Sequence, residues 1–416
     1  MTAKHPYIGL PDYQFWKHEP AVDPDLPMDP VVDVSFSITT DEPVVTAGSC
    51  FAQHVARALA RAGFNFHVTE KAHEALIPKA ARLNNYTMFS ARYGNIYTAR
   101  QLKQLLQRAY REYVPTESVW IGKMGSFVDP FRPQIQPGGF ISTAELERDR
   151  DIHLAAVRRA VESLSVFVFT LGLTEAWIDQ RDGAVFPLAP GVAGGVYDEE
   201  IFAFKNFTVA EIVADMQWSL DFIRARNPNS KFILTVSPVP LNATYLNRHV
   251  FVSTTLSKSI LRVAAEEVTQ NNDRCDYFPS YEIITSPFAR GRSYAPDCRE
   301  VRPIAVAEVM RVFMKHYAGI EVPARMPKLK TAQDVGDRKS NDSARDTRVK
   351  SDQRRKQKTA NSRSRGDVKE ATEATARKAK NRRAKAPADS SERLDQRQKV
   401  DNLMEVLCDE EAISNK

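Results

Sequence analysis

The sequence predicts a three-layer α/β domain, a parallel sheet with helices on both faces, followed by a disordered C-terminal tail. Two near-continuous apolar runs, residues 165–171 and 231–237, have the character of parallel strands that are covered on both faces. Each run follows a stretch with helical periodicity, and helices that alternate with strands are typical of a parallel α/β sheet. All of the Phe, Tyr and Trp residues lie within residues 1–323, so we expect the core there.

The other elements follow from the same signals in chain order. Residues 43–48 form a short apolar run ending in glycine, which predicts a first strand. The apolar residues after it recur with a 3.6-residue period, which predicts a helix that ends near Gly63. Further strands are predicted at 64–68 and 275–278, and further helices at 143–164, 209–226, 255–268 and 303–317.

Two irregular regions flank or interrupt this pattern. Residues 1–40 are rich in proline and aspartate and predict an arm that packs on the domain at 41–323. Residues 113–142 are rich in glycine and proline and predict an insertion over the sheet edge.

The charge is divided unevenly between the predicted domain and the tail. The chain has a net charge of +6 and a pI near 9.0, but residues 324–416 carry +9 and residues 1–323 carry −3. Residues 324–390 lack aromatic side chains, so disorder is expected. Their basic clusters could make nonspecific contact with a polyanion, or could belong to a solvated linker. Residues 391–411 have an apolar helical face, which predicts either a helix that docks on a protein partner or a frayed helix.

Several classes of protein are excluded by the sequence. No apolar run approaches the length needed to span a bilayer, and the proline-rich N-terminus has no signal-peptide core. The four cysteines are too scattered for a disulfide framework, and no metal-ligand spacing or phosphate loop is present. We therefore expect a cytoplasmic protein without a metal or cofactor.

The sharpest local feature is the string from Gly48 to Ala52, where a predicted strand meets a predicted helix. Ligands gather at the carboxyl ends of parallel strands, and a helix N-terminus can stabilise an oxyanion. Ser49 is therefore a candidate nucleophile; the alternative is a plain helix cap. Cys50 is a rival nucleophile, although a small buried thiol is the commoner outcome.

This string and four later blocks resemble the GSCFA family, a branch similar to the SGNH/GDSL hydrolases with their flavodoxin-like sheet. The resemblance covers about residues 40–318 in matching order. The later blocks are Arg92 to Tyr97, Thr170 to Trp177, Ser237 to Pro240 and Tyr277 to Glu282.

The resemblance implies a set of site residues. SGNH enzymes use a serine nucleophile, a glycine and an asparagine as oxyanion donors, and a late Asp-x-x-His. These roles map onto Ser49, Gly94 and Thr174, with the Ser49 backbone N–H as a further donor, although threonine stands where asparagine is usual. The late block reads Asp297 to Glu300, so a glutamate stands in the histidine position.

The sequence therefore offers several candidates for the general base and does not choose among them. A carboxylate of Glu175, Asp297 or Glu300 would be a weak base toward a serine unless burial raises its pKa. His249, in a loop after the fourth strand, is the best imidazole candidate, although a loop histidine bonded to backbone is the alternative.

The insertion contributes one more pair of candidate residues. Asp129 and Arg132 could grip a substrate carboxylate or sugar hydroxyl, or could form a salt bridge that fastens the insertion.

Two functions from different classes follow. The first is an esterase or acyltransferase acting on a small-molecule or glycan ester, with an O-acyl glycan suggested by family analogy. The second is a catalytically silent binding or scaffold protein on the same fold.

Overall fold

The computed structural model describes residues 5–324 and 408–413, which belong to one structural unit. Its main sheet has four parallel strands, which are β1 (Val44–Gly48), β4 (Val166–Leu171), β8 (Lys231–Val236) and β9 (Cys275–Tyr277). They lie side by side in the order β1-β4-β8-β9. Phe66 adds a single parallel bridge to Val44 on the outer side of β1.

Helices cover both faces of this sheet, as the sequence predicts. One face packs against α3 (Ala99–Ala109), α4 (Thr143–Ser163), α5 (Val209–Arg226) and α6 (Val250–Gln270). The opposite face packs against α1 (Ala52–Arg61), α7 (Ser280–Thr285) and α8 (Pro303–Ala318). The strands are buried on both faces because their side chains alternate between these two apolar clusters. A short helix, α2 (Pro78–Leu83), lies in the connection before α3.

Smaller β elements lie outside the main sheet. The insertion contains a hairpin of β2 (Trp120–Ile121) and β3 (Phe127–Val128). An antiparallel sheet of order β6-β5-β7 follows β4 and consists of β5 (Glu175–Asp179), β6 (Val185–Phe186) and β7 (Phe202–Asn206). The Trp120 and Phe186 rings pack against each other at a tilt, with their centroids 5.2 Å apart, so the insertion shares an apolar cluster with the antiparallel sheet.

The N-terminal arm contacts the α8 side of the domain. The Ile38 N–H donates to the Tyr317 carbonyl at 2.7 Å, and Lys315 pairs with Asp29 at 2.7 Å. Of the aromatic residues early in the arm, Tyr7 and Tyr13 are mostly exposed, whereas the Trp16 ring packs against Phe288 with the ring centroids 4.9 Å apart.

Two predicted element boundaries need correction. The strand predicted at 64–68 is reduced to the single bridge at Phe66. The helix predicted from 255 begins at Val250, because the side chain of His249 caps it by accepting a hydrogen bond from the Phe251 N–H. The predicted tail at 324–390 and most of the helix predicted at 391–411 lie outside the described residues.

Within the described ranges, no helix combines the length and apolarity needed to cross a membrane.

Candidate active site

Ser49 follows the last residue of β1 and is held there by the backbone of Gly48. Gly48 has φ +129°, and a Cβ on it would lie 2.3 Å from the Thr170 carbonyl oxygen, so only glycine fits. Ser49 is 3% exposed, and its Oγ has no hydrogen-bond partner among the described residues. Buried hydroxyls are usually hydrogen-bonded, and the unpaired Ser49 Oγ, together with its place at the end of β1, makes this position a candidate site.

The position of Ser49 in the sheet is one where ligands bind in other α/β folds. From β1, the chain runs to the Phe66 bridge on one side and then to β4 on the other side. Strand order reverses at this point, which opens a crevice at the carboxyl ends of β1 and β4.

Two backbone segments form the wall beside Ser49. The Ile96 N–H donates to the Gly48 carbonyl at 2.8 Å, and the Gly172 N–H donates to the Tyr97 carbonyl at 3.1 Å. A Cβ on Gly172 would lie 2.9 Å from the Ser49 Cβ, so glycine is needed for this close approach. Gly94, the predicted oxyanion donor, is buried in the same segment with φ +70°.

The other two predicted oxyanion donors already make hydrogen bonds. The Ser49 N–H donates to the Thr170 carbonyl at 3.1 Å, which differs from the expectation that it points to a ligand. Thr174 is fully buried, and both its N–H and its hydroxyl lie 3.1 Å from the Ser257 Oγ. Thr174 would therefore have to exchange a partner to serve a ligand.

The four candidate bases lie on three separate segments of the chain, and none is bonded to the Ser49 Oγ. His249 is exposed at the start of α6. Glu175 is half-buried, accepts from the Thr244 hydroxyl at 2.8 Å, and has a pKa that burial raises. Asp297 and Glu300 are exposed, and the Asp297 carboxylate accepts from the Glu300 N–H at 3.1 Å.

Asp129 and Arg132 are buried in an ion-pair network inside the insertion. Arg132 contacts both Asp129 and Asp149 at 2.9 Å, and Arg150 reaches Asp129 at 3.4 Å. Burial would raise the pKa of Asp129, but Arg132, Arg150 and Arg108 hold it well below its usual range. These contacts are those of a salt bridge that fastens the insertion; a role in binding a substrate stays a prediction.

Two cations that the sequence reasoning missed, Lys258 and Arg299, lie close to the neighbours of Ser49. Lys258, on α6, is 1% exposed and donates from Nζ to the Gly172 carbonyl at 2.6 Å. Arg299 lies in the turn before α8, where Asp297 accepts a hydrogen bond from its N–H at 3.1 Å. The block that resembles Asp-x-x-His thus delivers an arginine to the site.

A short piece of the chain terminus covers these groups. We call residues 408–413 the C-terminal segment; residues Asp409–Ile413 of it form a 3-10 helix. The Cys408 Sγ lies 3.6 Å from the Cys50 Sγ, and the Asp409 N–H donates to the Tyr97 hydroxyl at 3.0 Å. Asp409 also accepts from the Asn95 side chain at 2.9 Å.

Glu410 brings a buried carboxylate into contact with Arg299, and its charge also acts on Lys258. Its Oε2 lies 3.1 Å from the Arg299 Nη2, and its main-chain carbonyl accepts from the Asn242 side chain at 2.7 Å. We call Lys258, Arg299 and Asn242 the cationic pocket.

The pKa values in the cationic pocket reflect this enclosure. Burial lowers the pKa of Lys258 to about 8, although the charge of Glu410 opposes the shift. Burial also raises the pKa of Glu410, against the effect of Arg299 and Lys258. Burial raises the pKa of Asp409 to about 6.

The buried charge of Lys258 could have been predicted from the sequence. Lys258 shares its helical face with Leu261, Ala265 and Val268, and a lysine on an apolar face is a signal of a buried charge. The position of Cys408 and Glu410 carries no such signal, because nothing in a local pattern reveals a contact made across more than 100 residues.

No group of ligating side chains that could hold a metal ion is found within residues 5–324 and 408–413.

Comparison with known proteins identifies the family. No curated protein matches the chain. A solved structure described as "a putative platelet activating factor from Streptococcus pneumonia" aligns with 53% of this chain and 94% of its own, at 9% identity and a TM-score of 0.24. The family model described as the GSCFA family matches residues 43–313, which is more than half of the sequence. The chain therefore belongs to the GSCFA family.

Proposed function

We propose that this protein is an esterase or acyltransferase in which Ser49 is the nucleophile. The observation that carries the proposal is the Ser49 Oγ, which is buried, has no hydrogen-bond partner in the described residues, and lies at the strand-order reversal. The Ser230 Oγ is also buried and unpaired, but it lies before the start of β8, whereas Ser49 lies at the carboxyl end of β1, where ligands of α/β folds bind.

The reaction would follow the usual course of acyl transfer. The Ser49 Oγ attacks the ester carbonyl, a base accepts its proton, and the alcohol leaves with a proton to give an acyl-serine. Water or a second alcohol then takes the acyl group. We propose Gly94 and Thr174 as oxyanion donors, with Thr174 exchanging its Ser257 contact.

Glu175 is our first choice among the four candidate bases. It directly follows Thr174 at the carboxyl edge of β4, and burial raises its pKa toward the range of a useful base. His249, Asp297 and Glu300 are the other candidates. Glu175→Gln and His249→Asn distinguish the first two candidates. The variant that lacks the base should show a reduced kcat and should no longer lose activity as the pH falls through the pKa of the base.

The test is covalent labelling of the full chain with a fluorophosphonate, followed by intact mass measurement. We expect one adduct on the wild type and on Glu410→Gln, which loosens the C-terminal segment, and none on Ser49→Ala. Ser237→Ala is the matched control, because Ser237 is a buried serine directly after β8. Equal labelling of Ser49→Ala and wild type would remove Ser49 as the nucleophile.

A silent binding protein is the second candidate function. It is favoured by the observation that no described histidine or carboxylate is bonded to the Ser49 Oγ. If neither wild type nor Glu410→Gln is labelled and neither hydrolyses p-nitrophenyl acetate or an O-acetylated oligosaccharide, this second function replaces the first.

A further inference from the structure

We propose that the cationic pocket is a binding site for ligands that carry a carboxylate three carbons away from an amide or ester carbonyl. In this structure the C-terminal segment occupies the pocket in place of such a ligand. The proposal extends the proposed function by giving its substrate an acidic group. The claim that such a ligand is a substrate rests on the proposed function of Ser49. Binding of the ligand to the pocket does not, since binding needs no reaction.

Residues 5–324 supply two cations to this pocket and no carboxylate that forms an ion pair with either of them. Arg299 pairs with Glu410 at 3.1 Å and Glu411 at 3.8 Å, and both belong to the C-terminal segment. In the described part of the chain, neither Arg299 nor Lys258 makes an ion pair with a carboxylate from residues 5–324. An uncompensated buried charge is strongly destabilising, so the pocket is built to receive an anion.

The pocket recognises more than a charge. Asn242 donates from its side chain to the Glu410 main-chain carbonyl at 2.7 Å while Arg299 holds the Glu410 carboxylate. The carboxylate and the carbonyl of a glutamate are separated by three carbons, so a glutarate-like acid or an acidic peptide has the matching spacing.

The pocket also connects to Ser49. Lys258 donates to the Gly172 carbonyl, and Gly172 packs directly against Ser49. Cys408 covers Cys50, the residue after Ser49, and Ser49 is 3% exposed with the segment in place. A ligand that displaces Glu410 would therefore enter beside an uncovered Ser49.

The test uses a fluorescein-labelled peptide with the sequence of residues 406–413, in which Cys408 is replaced by serine. Its binding to the full chain is followed by fluorescence anisotropy. We expect Glu410→Gln to bind the peptide at least about tenfold more tightly than wild type, because the chain's own segment has lost its buried charge pair. Glu147→Gln, at an exposed carboxylate on α4, is the matched control and should behave as wild type.

A second arm establishes which residues receive the peptide. Arg299→Gln in the Glu410→Gln chain should weaken peptide binding by at least about tenfold, whereas Arg302→Gln, an exposed neighbour, should not. A peptide with glutamine in place of Glu410 should lose affinity to the same extent. Melting curves identify any variant that fails to fold. If Arg299→Gln fails to fold, the loss of affinity of the glutamine peptide for the folded Glu410→Gln chain tests whether the pocket binds the carboxylate.

Release of the segment is measured separately by alkylation of Cys408 in a Cys298→Ala chain. Glu410→Gln should be alkylated faster, and glutarate should accelerate alkylation of the chain with Glu410 intact, whereas uncharged glutaramide should not. An unchanged rate in Glu410→Gln would overturn the proposal, as would faster alkylation without binding of the peptide. Absence of fluorophosphonate labelling with peptide binding intact would reject catalysis and leave the carboxylate site standing.

Discussion

At the scale of single residues, Gly48 sets the geometry of the candidate site. Its φ of +129° and the Thr170 carbonyl beside it leave no room for a Cβ. We expect Gly48→Ala to lower the free energy of unfolding by about 3 kcal/mol or more, because the clash is with backbone of β4 and cannot be relieved by a side chain. Urea unfolding followed by circular dichroism measures the loss.

Gly63 provides the matched control for that substitution. It also has a positive φ, +81°, but a Cβ there would meet open space. Gly63→Ala should therefore cost only the strain of a left-handed backbone, about 1–2 kcal/mol. Equal losses from the two substitutions would show that contact with β4 contributes nothing.

The two cysteines at the site give a second prediction at this scale. Cys50 and Cys408 are buried with their sulfurs 3.6 Å apart, and the Cys50 contact together with Arg299 lowers the pKa of Cys408. Oxidised glutathione should therefore convert this pair into an intramolecular disulfide, with release of two molecules of reduced glutathione. Peptide mapping after trypsin should recover the linked fragments from a chain carrying Cys298→Ala and Cys275→Ala. Linkage only between separate chains would contradict the position of the segment.

At the scale of elements, the sequence predicts those whose signal is local. The strands at 166–171 and 231–236 and the helix Val209–Arg226 match their predicted positions, because apolar runs and 3.6-residue periodicity are read within the element itself. The strand predicted at 64–68 is only a bridge at Phe66, and the short strands of the antiparallel sheet were not predicted. Both depend on pairing with residues distant in the chain, which a local pattern does not reveal.

The insertion depends on a buried carboxylate for its attachment. Asp129 is 1% exposed and lies between Arg132 and Arg150. We expect Asp129→Asn to lower the free energy of unfolding by about 3–5 kcal/mol, because it leaves guanidinium groups buried without their counter-charge. Asp151→Asn, on the exposed side of α4, should change it by less than about 0.5 kcal/mol. A loss confined to substrate binding, with stability unchanged, would instead support the ligand role predicted from the sequence.

Docking of the C-terminal segment should depend on pH through Asp409. Burial raises its pKa from 3.8 to about 6 in the docked segment, so protonation favours docking. Docking should therefore be strongest below pH 4 and weaken as the pH rises through 6.

The labelled peptide measures this dependence on the Glu410→Gln chain. Its affinity should rise by about tenfold from pH 7 to pH 5. A peptide with asparagine in place of Asp409 should respond less. Affinity that falls between pH 7 and pH 5 would show that the charged form of Asp409 is the one that docks.

At the scale of the whole molecule, the candidate site combines residues from distant parts of the sequence. Ser49 could be singled out from its own neighbourhood, because a strand, a glycine and a helix are adjacent there. Arg299 and Glu410 could not be paired from sequence, because their contact spans 111 residues. The late block, where the family resemblance implies a histidine base, forms a turn that positions Arg299.

Truncation after residue 324 tests how the chain terminus and the domain depend on each other. The two main apolar clusters lie entirely within residues 5–324, so we expect the truncated chain to stay folded and to melt cooperatively. Cys408 contacts Cys50, the residue after Ser49, so we expect loss of residues 408–413 to expose Ser49. Fluorophosphonate labelling should then accelerate by about tenfold or more, equivalent to about 1.4 kcal/mol of docking free energy. The truncated Ser49→Ala chain must remain unlabelled. A truncated chain that fails to fold would show that the C-terminal segment completes the core, and one that folds but labels no faster would show that the segment does not restrict access to Ser49.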